Sequence, residues 1–247
     1  MERALEGKVV LVTGGGVRVG KAIAQRLGQA GADVAVHFHS SSEGAEDTAR
    51  AIREGGRRAE TFHADLGASD AIQPLVDSVE SKLGPIDILV NSAALFDRVD
   101  FLETALEVLD RQWAVNTRGP YLLTQAVARR MVKRGGGEVV NVVDIGGGFE
   151  PWKHYSAYCM TKAALAMLTR CLALELAPLI RVNGVAPGTV LPPEDLGPQV
   201  LESLRQKIPQ QRFGSAEDVA SVVHYFLTGP RFITGQILAV DGGRSLA

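Results

Sequence analysis

Tyr158 and Lys162 are the side chains of this sequence whose types and spacing best suit acid–base chemistry. They lie four residues apart in the apolar stretch from Tyr155 to Ala177, which predicts a buried helix carrying both on one face. A phenol has a pKa of about 10, and a nearby ammonium favours the phenolate and lowers that pKa. The pair could supply a proton in the reduction of a carbonyl or an imine, although the same spacing also occurs at ordinary half-exposed helix starts.

A glycine-rich turn, TGGGVRVG from Thr13 to Gly20, lies between a strand pattern and a helix pattern. Glycines here would let backbone N–H groups approach a pyrophosphate, and the helix N-terminus would add partial positive charge. A tight turn without any ligand would look similar, because short glycine motifs are often accidental. Arg18 occupies a position where the pattern T-G-x-x-x-G-x-G has glycine.

The end of the second predicted strand indicates which dinucleotide the turn would bind. NAD-selective sites carry Asp or Glu there, whereas this chain has His39, Ser40 and Ser41. The serine hydroxyls, with Arg18 reaching across from the turn, could hold a 2′-phosphate, which predicts NADP(H). The serines could also cap the next helix. His37 and His39 share one face of the strand, but no further ligands of suitable spacing accompany them, so we predict no metal site.

The elements that must position these residues alternate along the whole chain. Short apolar runs predict seven strands, at residues 8–12, 33–39, 57–64, 87–91, 137–144, 180–186 and 235–242. Between them, apolar residues recur at helical spacing, as at Ile23, Leu27 and Ala30. This alternation predicts one α/β domain over residues 1–247, doubly wound and Rossmann-type. Its central parallel sheet would have about seven strands, with helices on both faces.

The composition excludes several classes of function. Hydrophobic residues make up 46% of the 247 residues, and 26 basic against 28 acidic residues leave a net charge of −2. Binding to nucleic acid is therefore not expected. No apolar run approaches the roughly 20 residues that span a bilayer, and the first residues do not resemble a signal peptide. The sequence thus predicts a cytoplasmic protein with a small-molecule substrate.

Taken together, these motifs resemble the short-chain dehydrogenase/reductase family over about residues 7–243. The resemblance rests on Thr13-Gly14…Gly20, Asp65-Leu66, Asn91-Ser92-Ala93-Ala94, Asn116, Tyr158-x-x-x-Lys162 and Pro187-Gly188. It implies that Tyr158 is the general acid and that Lys162 holds the nicotinamide ribose and lowers the pKa of the tyrosine. It also implies that Asn116 anchors a water in a proton relay.

The same resemblance implies a set of cofactor contacts. These are Gly14, Arg18, Val19 and Gly20 in the turn, Asp65 and Leu66 at the adenine, Asn91 and Ala93 along the cleft, and Pro187, Gly188 and Val190 at the carboxamide. Members of the family form homotetramers, and the apolar C-terminal stretch GQILAVDGGRSLA suggests burial against another subunit.

Two departures from the family pattern point to one branch of it. Arg18 replaces a glycine, and the usual serine thirteen residues before the tyrosine is replaced by Ile145, with Asp144 beside it. Both features resemble the pteridine reductases, which implies a pterin substrate contacted by Arg18, Asp144, Tyr158 and an aromatic residue. Phe96 would be that residue only if its loop shifts by one position, because the strict count gives Leu95. It could instead be ordinary core packing.

Asp144 is expected to be protonated, or to share a proton with Tyr158, during turnover, because an ionised carboxylate there would raise the pKa of the phenol. Activity should then fall as pH rises through that titration. Asp144 lies fourteen residues before Tyr158, and Gly146 to Gly148 could absorb the extra residue. A strand-end aspartate that only binds backbone N–H groups is the competing interpretation.

The favoured function is thus an NADPH-dependent reductase of pterins, and two alternatives remain. One is a carbonyl reductase, such as a 3-oxoacyl-thioester reductase; the other is a protein that senses NADP(H) without turnover. The proline-bearing segment at about 189–210 is expected to be a substrate loop. Its residues Pro192, Pro193, Glu194 and Leu196 would shape the pocket, with Trp152, His154 and Tyr155 at its rim.

Overall fold

A computed structural model describes residues 4–192 and 197–247 of the chain. Its sheet has seven parallel strands in the order β3-β2-β1-β4-β5-β6-β7. The strands are β1 (Val9–Val12), β2 (Asp33–Phe38), β3 (Ala59–His63), β4 (Ile88–Asn91), β5 (Gly137–Val142), β6 (Ile180–Pro187) and β7 (Ile237–Val240). All seven predicted strands are confirmed, with ends that differ by a few residues.

Eight α-helices connect and flank these strands within the described ranges. They are α1 (Arg18–Gln29), α2 (Ser42–Glu54), α3 (Ile72–Leu83), α4 (Leu106–Trp113), α5 (Gly119–Lys133), α6 (Ser156–Glu175), α7 (Pro198–Gln206) and α8 (Ala216–Thr228). A π-helical segment, Ala114–Arg118, joins α4 to α5. Short 3₁₀ turns occur at Ser69–Ala71, Phe101–Glu103, Ile145–Gly147 and Arg244–Leu246.

The alternation of side chains along the strands builds two cores, one on each face of the sheet. Val10 and Val12 of β1 pack with helices α1, α2 and α8. Val9 and Leu11 face the other way and pack with α3, α5 and α6. The prediction of a doubly wound domain with helices on both faces is therefore confirmed.

Helix α6 differs from its prediction. Its apolar composition predicted a helix buried all round, but only one side is buried, through residues such as Leu165 and Ala173. Met167 and Leu174 on the other side are 55% and 83% exposed. By length and composition this helix of 20 residues could cross a membrane, contrary to the expectation that no apolar run is that long. Composition is weak support for a membrane span, since a core helix passes the same test, and α6 packs on β6.

The strand order reverses between β1 and β4, which are neighbours in the sheet although far apart in sequence. In open α/β sheets, ligands bind outside the carboxyl ends of the strands at such a reversal. The turn after β1, the turn after β4 and the N-terminal end of α1 all meet there. The fold thus brings the predicted motifs together at the carboxyl ends of the strands.

Candidate active site

A cleft of about 860 Å³ opens at the carboxyl ends of the strands. Seven of the predicted cofactor residues line it: Gly14, His39, Ser40, Ser41, Asp65, Leu66 and Ala93. Residues of α4 and the π-helical segment, including Arg111, Trp113 and Arg118, form a wall that the sequence did not predict. Among residues 4–192 and 197–247, no group of three or more His, Cys, Asp or Glu side chains is placed to hold a metal ion.

The glycine-rich turn is held against both neighbouring strands. An added Cβ at Gly20 would lie 2.1 Å from the carbonyl oxygen of Gly14, so only glycine fits there. The hydroxyl oxygen of Thr13 accepts hydrogen bonds from the N–H groups of Ser92 (2.9 Å) and Ala93 (3.0 Å), which joins the turn to the loop after β4. No sequence pattern predicted this link through the Thr13 hydroxyl.

His37 joins the same turn to β2 and β3. The Gly14 N–H donates to His37 Nδ1 (3.2 Å), and Nε2 lies 3.1 Å from the carbonyl oxygen of Ala64, to which it donates in the tautomer that this pairing requires. Burial lowers the pKa of His37 to about 4, so the ring is neutral at pH 7. The Gly15 N–H donates to the backbone carbonyl of His37 (2.9 Å). Because these two N–H groups are engaged, the free N–H groups at the start of α1 are those left for an anion.

Arg18 adopts a left-handed backbone conformation, with φ +49°, which non-glycine residues rarely adopt. Its side chain is exposed, and Nη2 donates to the carbonyl oxygen of Leu191, just after Thr189 and Val190. In this conformation the guanidinium is bonded to the beginning of the expected substrate loop. Residues 193–196 of that loop, with the predicted Pro193, Glu194 and Leu196, lie outside the described residues.

Asp144 and Tyr158 form a hydrogen-bonded pair, and neither is among the residues that line the cleft. The Tyr158 hydroxyl donates to Asp144 Oδ2 (2.9 Å), while Asp144 Oδ1 accepts from the Gly146 N–H (2.8 Å). The glycine segment expected to absorb the extra residue forms the 3₁₀ turn Ile145–Gly147, followed by Gly148 at φ +138°. Ile145 is fully buried, so Asp144 and not Ile145 lies against the tyrosine. The backbone-binding role considered for Asp144 and its contact with Tyr158 both occur.

Burial shifts the pKa values of this pair strongly. It raises the pKa of the Asp144 carboxyl to about 6, against smaller lowering effects of the Gly146 N–H, Lys162, the Tyr158 hydroxyl and Arg244. Burial and then Asp144 raise the pKa of Tyr158 well above its usual value. The lowering of the tyrosine's pKa that the family resemblance implies for Lys162 is therefore not seen, because desolvation and the neighbouring carboxyl set the direction of the shift.

Lys162 is 2% exposed, and its Nζ donates to the carbonyl oxygen of Val142 (2.8 Å). Burial lowers the pKa of this ammonium to about 8, and Asp144 opposes that shift. The Nζ atom lies 5.8 Å from the ring centre of Tyr158. The lysine is thus mostly charged at pH 7 and is held beside the phenol by strand β5.

The two predicted asparagines have buried partners. Asn116 lies in the π-helical segment; its Oδ1 accepts from the Leu95 N–H (2.7 Å), and its Nδ2 donates to the Leu95 carbonyl (2.9 Å) and to Thr161 (3.1 Å). Both amide protons are therefore used within the protein, and the side chain anchors the loop after β4. Such π-helical segments often occur at functional sites.

Asn91 does not line the cleft with its side chain, contrary to expectation. It is 3% exposed, and its Nδ2 donates to Asn141 (2.8 Å) and Thr124 (3.1 Å) in the core. Pro187 ends β6, and Gly188 approaches Asp241 so closely that an added Cβ would lie 2.6 Å from its side chain. The Val190 side chain is buried against Gly214, so only its backbone remains available for a cofactor.

The aromatic rings of Phe96, Trp152 and Tyr155 form a cluster with the ring of Tyr158. Phe96 stacks on Tyr155 (4.6 Å between centres) and meets the edge of Tyr158 (4.7 Å). Trp152 lies parallel to Tyr158 at 6.3 Å. Phe96 thus lies on the site although strict counting gave Leu95, and it is 47% exposed, which does not fit the core-packing alternative.

Two charged residues that the sequence analysis did not single out complete this side of the site. Arg244, near the C-terminus, pairs with Glu150 through two hydrogen bonds, of 2.9 and 2.8 Å. Neither residue belongs to a recognisable motif, and they are 94 positions apart in sequence, so only the folded chain brings them together.

Comparison with known proteins identifies relatives of this chain in both sequence and fold. A family model described as enoyl-(acyl carrier protein) reductase matches residues 16–245. The chain is 37% identical to the uncharacterized oxidoreductase YohF of Escherichia coli (97% of this chain, 96% of the relative). It is 36% identical to the 3-oxoacyl-[acyl-carrier-protein] reductase FabG of Aquifex aeolicus (98% and 99%). A crystal structure of FolM alternative dihydrofolate reductase 1 from Brucella canis, complexed with NADP, matches with TM-score 0.91 at 36% identity (100% and 97%).

The match to the family model and these full-length relatives settle the class of protein. The chain belongs to the short-chain dehydrogenase/reductase family and is an oxidoreductase of that type. The family resemblance in the sequence is therefore confirmed.

Proposed function

We propose that this chain is an NADPH-dependent reductase that transfers hydride to a C=N bond, with a pterin or dihydropterin as the favoured acceptor. The observation that carries the proposal is the buried Asp144 carboxyl, hydrogen-bonded to the Tyr158 hydroxyl and with its pKa raised to about 6. Reduction of a ring C=N bond needs a proton at nitrogen, and a carboxyl that is partly protonated near neutral pH can supply it.

The residues at the cleft fit an NADP(H) cofactor. The free N–H groups at the start of α1 suit a pyrophosphate, and the end of β2 presents His39, Ser40 and Ser41 with no carboxylate among them. Lys162 would hold the nicotinamide ribose, and Asp65 with Leu66 would border the adenine. The bound cofactor supplies the hydride. The NADP complex of the Brucella canis FolM structure supports this choice for a chain 36% identical to it.

The proton steps follow from the hydrogen bonds of the site. As hydride adds to the substrate carbon, the Tyr158 hydroxyl gives its proton to the substrate nitrogen, so that C=N becomes CH–NH. The carboxyl of Asp144, when protonated, returns a proton to the phenolate across the 2.9 Å contact. Lys162 stabilises the transient phenolate through its charge. An ionised Asp144 could not complete this transfer, so the rate should fall as pH rises past about 6.

The surroundings of these groups suit a flat, polar acceptor. The Phe96, Trp152 and Tyr155 rings cluster with the ring of Tyr158, so a heteroaromatic ring could stack there. Arg18, at the neighbouring turn, would reach both the cofactor phosphates and this acceptor. The segment at about 189–210 remains the proposed substrate loop, and Arg18 contacts its described beginning at Leu191.

Reduction of a 3-oxoacyl thioester is the competing activity, since Aquifex aeolicus FabG is 36% identical. The Asp144 carboxyl in place of the family's serine disfavours it, because once ionised, above about pH 6, it would repel a carbonyl oxygen that gains negative charge. Binding of NADP(H) without turnover is disfavoured by the retention of both Tyr158 and Lys162.

We also propose that the enzyme is a cytoplasmic homotetramer. Exposed apolar side chains occur in two regions that would be covered in such an assembly. The first comprises Tyr121 and Val132 on α5 with Met160, Met167 and Leu174 on α6; the second comprises Phe232, Leu238 and Leu246 near the C-terminus. The free thiols Cys159 and Cys171 are compatible with a reducing compartment.

The test is an assay of cofactor oxidation with NADPH and with NADH. Dihydrobiopterin, dihydrofolate and an acetoacetyl thioester are offered in parallel. We expect turnover of the pterins with NADPH and slower turnover with NADH. Turnover of the thioester alone would overturn the substrate assignment, and cofactor binding without turnover of any acceptor would favour the sensing alternative.

A further inference from the structure

A partly buried ion pair joins the C-terminal turn to the residues beside Tyr158. Arg244 Nε and Nη2 donate to the two carboxylate oxygens of Glu150 (2.9 and 2.8 Å), and Nη1 donates to the hydroxyl of Thr189. The Arg244 side chain is 10% exposed and that of Glu150 28% exposed. A two-pronged arginine–carboxylate contact of this kind fixes orientation as well as distance.

The C-terminal turn is built to present this arginine. Gly243 has φ +89°, a conformation that favours glycine, and its N–H donates to Asp241 Oδ1 (2.9 Å). The Ser245 N–H donates to Asp241 Oδ2 (2.8 Å). The Asp241 carboxylate therefore binds the backbone N–H groups of the residues before and after Arg244. These bonds fix the backbone from which the Arg244 side chain extends.

The guanidinium of Arg244 also contacts the ring of Trp152. Its carbon atom lies 5.5 Å from the ring centre of Trp152, within the range of a cation–π contact. Trp152 lies parallel to Tyr158 at 6.3 Å, and an added Cβ at Gly146 would be 3.3 Å from the indole. The indole is thus packed between the guanidinium and the turn that carries Asp144.

Arg244 also affects the charge balance of the site. The Asp144 carboxyl is faced by Tyr158, Cys159 and Lys162 of α6, and by Arg244. The positive charge of Arg244 lowers the pKa of that carboxyl, against the raising effect of burial. Because Glu150 carries the opposite charge, removal of Arg244 should raise the pKa of Asp144 and removal of Glu150 should lower it.

We propose that Arg244 is a positioning and specificity-determining residue. By holding Glu150 and Thr189 it fixes Trp152 parallel to Tyr158, and so sets the width of the acceptor pocket above the proton donor. The proposal rests on the proposed function insofar as it takes Asp144 and Tyr158 as the source of the proton. The competing interpretation is that the pair only anchors the C-terminus.

The role of Arg244 can be tested through the fluorescence of Trp152 in the full chain, a measurement that needs no turnover. The chain has two tryptophans, and Trp113→Phe leaves Trp152 as the reporter. Trp152 lies parallel to Tyr158, whose hydroxyl donates to Asp144, so we expect its emission to titrate with that carboxyl, at a midpoint near pH 6. Arg244→Met should move the midpoint up by removing a cation, and Glu150→Gln should move it down by leaving that cation unbalanced. Equal shifts, or none, would overturn the proposal.

A matched control is the ion pair between helices α5 and α3, neither residue of which lines the cleft. Arg130 of α5 pairs with Glu80 of α3 (2.8 Å), and their side chains are 26% and 19% exposed. Arg130→Met in the same background should lower the thermal midpoint of unfolding without moving the emission midpoint. If it shifts the emission midpoint as Arg244→Met does, the effect is one of general stability and the proposal fails.

Kinetics then separate this proposal from the proposed function. With whichever acceptor the wild type reduces, Arg244→Met should raise the KM for the acceptor at least tenfold and change the KM for NADPH less than twofold. Arg244→Lys should recover only part of the loss, because lysine cannot make the two-pronged contact. If the emission midpoints shift as expected while no pterin is reduced, the positioning role stands and the pterin assignment fails. Equal effects on both KM values would contradict the positioning role.

Discussion

Asp144 shows at the scale of one residue how burial makes a carboxyl serve as an acid near neutral pH. Its pKa rises from 3.8 to about 6 because the group is desolvated, although four neighbouring groups favour its ionised form. At about 1.4 kcal/mol per pKa unit, the ionised form costs the fold about 3 kcal/mol. The folded-state pKa is the higher one, so this cost appears as pH rises from about 4 to 6.

Replacement of Asp144 tests its role in the pH dependence of turnover. With saturating NADPH and acceptor, the wild-type kcat should fall as pH rises above about 6, because the carboxyl loses its proton. Asp144→Asn cannot titrate, so its kcat should be level from pH 5 to pH 8 and about 100-fold below the wild-type value at pH 6.

Asp77→Asn is the matched control for that measurement, since Asp77 lies on α3 and pairs with Arg130. It should keep the wild-type pH profile. A wild-type kcat that is already level between pH 5 and pH 8 would show that Asp144 does not supply the proton.

Arg18 carries backbone strain that can be separated from its side-chain role. A non-glycine residue at φ +49° costs roughly 1–2 kcal/mol. Arg18→Gly should therefore leave the free energy of unfolding unchanged or raise it by up to about 1 kcal/mol. Loss of a guanidinium contact with phosphate should raise the Kd for NADPH about 10- to 100-fold. Urea denaturation and fluorescence titration measure the two effects.

Arg18→Ala supplies the comparison, because it removes the guanidinium but keeps a Cβ in the strained conformation. It should bind NADPH as weakly as Arg18→Gly and be less stable than that variant. Wild-type affinity for NADPH in either variant would exclude Arg18 as a cofactor residue.

At the scale of elements, His37 links three of them. It joins the turn after β1 to the end of β2 and to Ala64 after β3, through a neutral ring. The pKa of this ring falls from 6.5 to about 4 because it is buried. The unfolded chain therefore takes up the proton first, and this contribution to stability is lost as pH falls from about 6.5 to 4.

Replacement of His37 should flatten the loss of stability in acid. Between pH 7 and pH 5 the wild type should lose about 2 kcal/mol of unfolding free energy through this residue. His37→Asn keeps an acceptor for the Gly14 N–H and cannot titrate, so it should start less stable at pH 7 but lose about 2 kcal/mol less. Urea denaturation at fixed protein concentration measures both.

The exposed Ser78 of α3 provides the control, since Ser78→Asn should show the wild-type difference between pH 7 and pH 5. The opposite contribution of Asp144 is common to all three proteins and cancels in the comparison. If His37→Asn loses as much unfolding free energy between pH 7 and pH 5 as the wild type does, the titration of His37 does not contribute to stability.

The sequence could predict the elements well because each one has its own local pattern. Strand β1 is apolar throughout and β6 is mostly apolar, and the Gly14 to Gly20 turn, with the Tyr158 and Lys162 pair, has a recognisable spacing. Contacts between distant segments have no such pattern. The bonds of His37 to the turn, of Asn91 to Asn141 and of Arg244 to Glu150 depend on which strands become neighbours.

At the scale of the whole molecule, the exposed stripe on α6 is the feature that the single chain does not explain. Met160, Met167, Cys171 and Leu174 recur at spacings of seven, four and three residues and so share one side of the helix. Composition alone could not show this, because a helix that is apolar all round reads as buried. An apolar side that the monomer leaves in water is expected to be covered by another subunit.

Leu174→Glu tests whether this stripe holds an assembly together. Leu174 is 83% exposed in the single chain, so the substitution should not affect the fold of the monomer. In an interface it would bury an unpaired charge on each subunit, which costs several kcal/mol. Light scattering after size exclusion should show that a wild-type tetramer becomes a smaller species, with the circular dichroism spectrum unchanged. Leu106→Glu, also exposed at 65% but outside this stripe, should remain a tetramer. A monomeric wild type, or a tetrameric Leu174→Glu variant, would show that this side of α6 is not an interface.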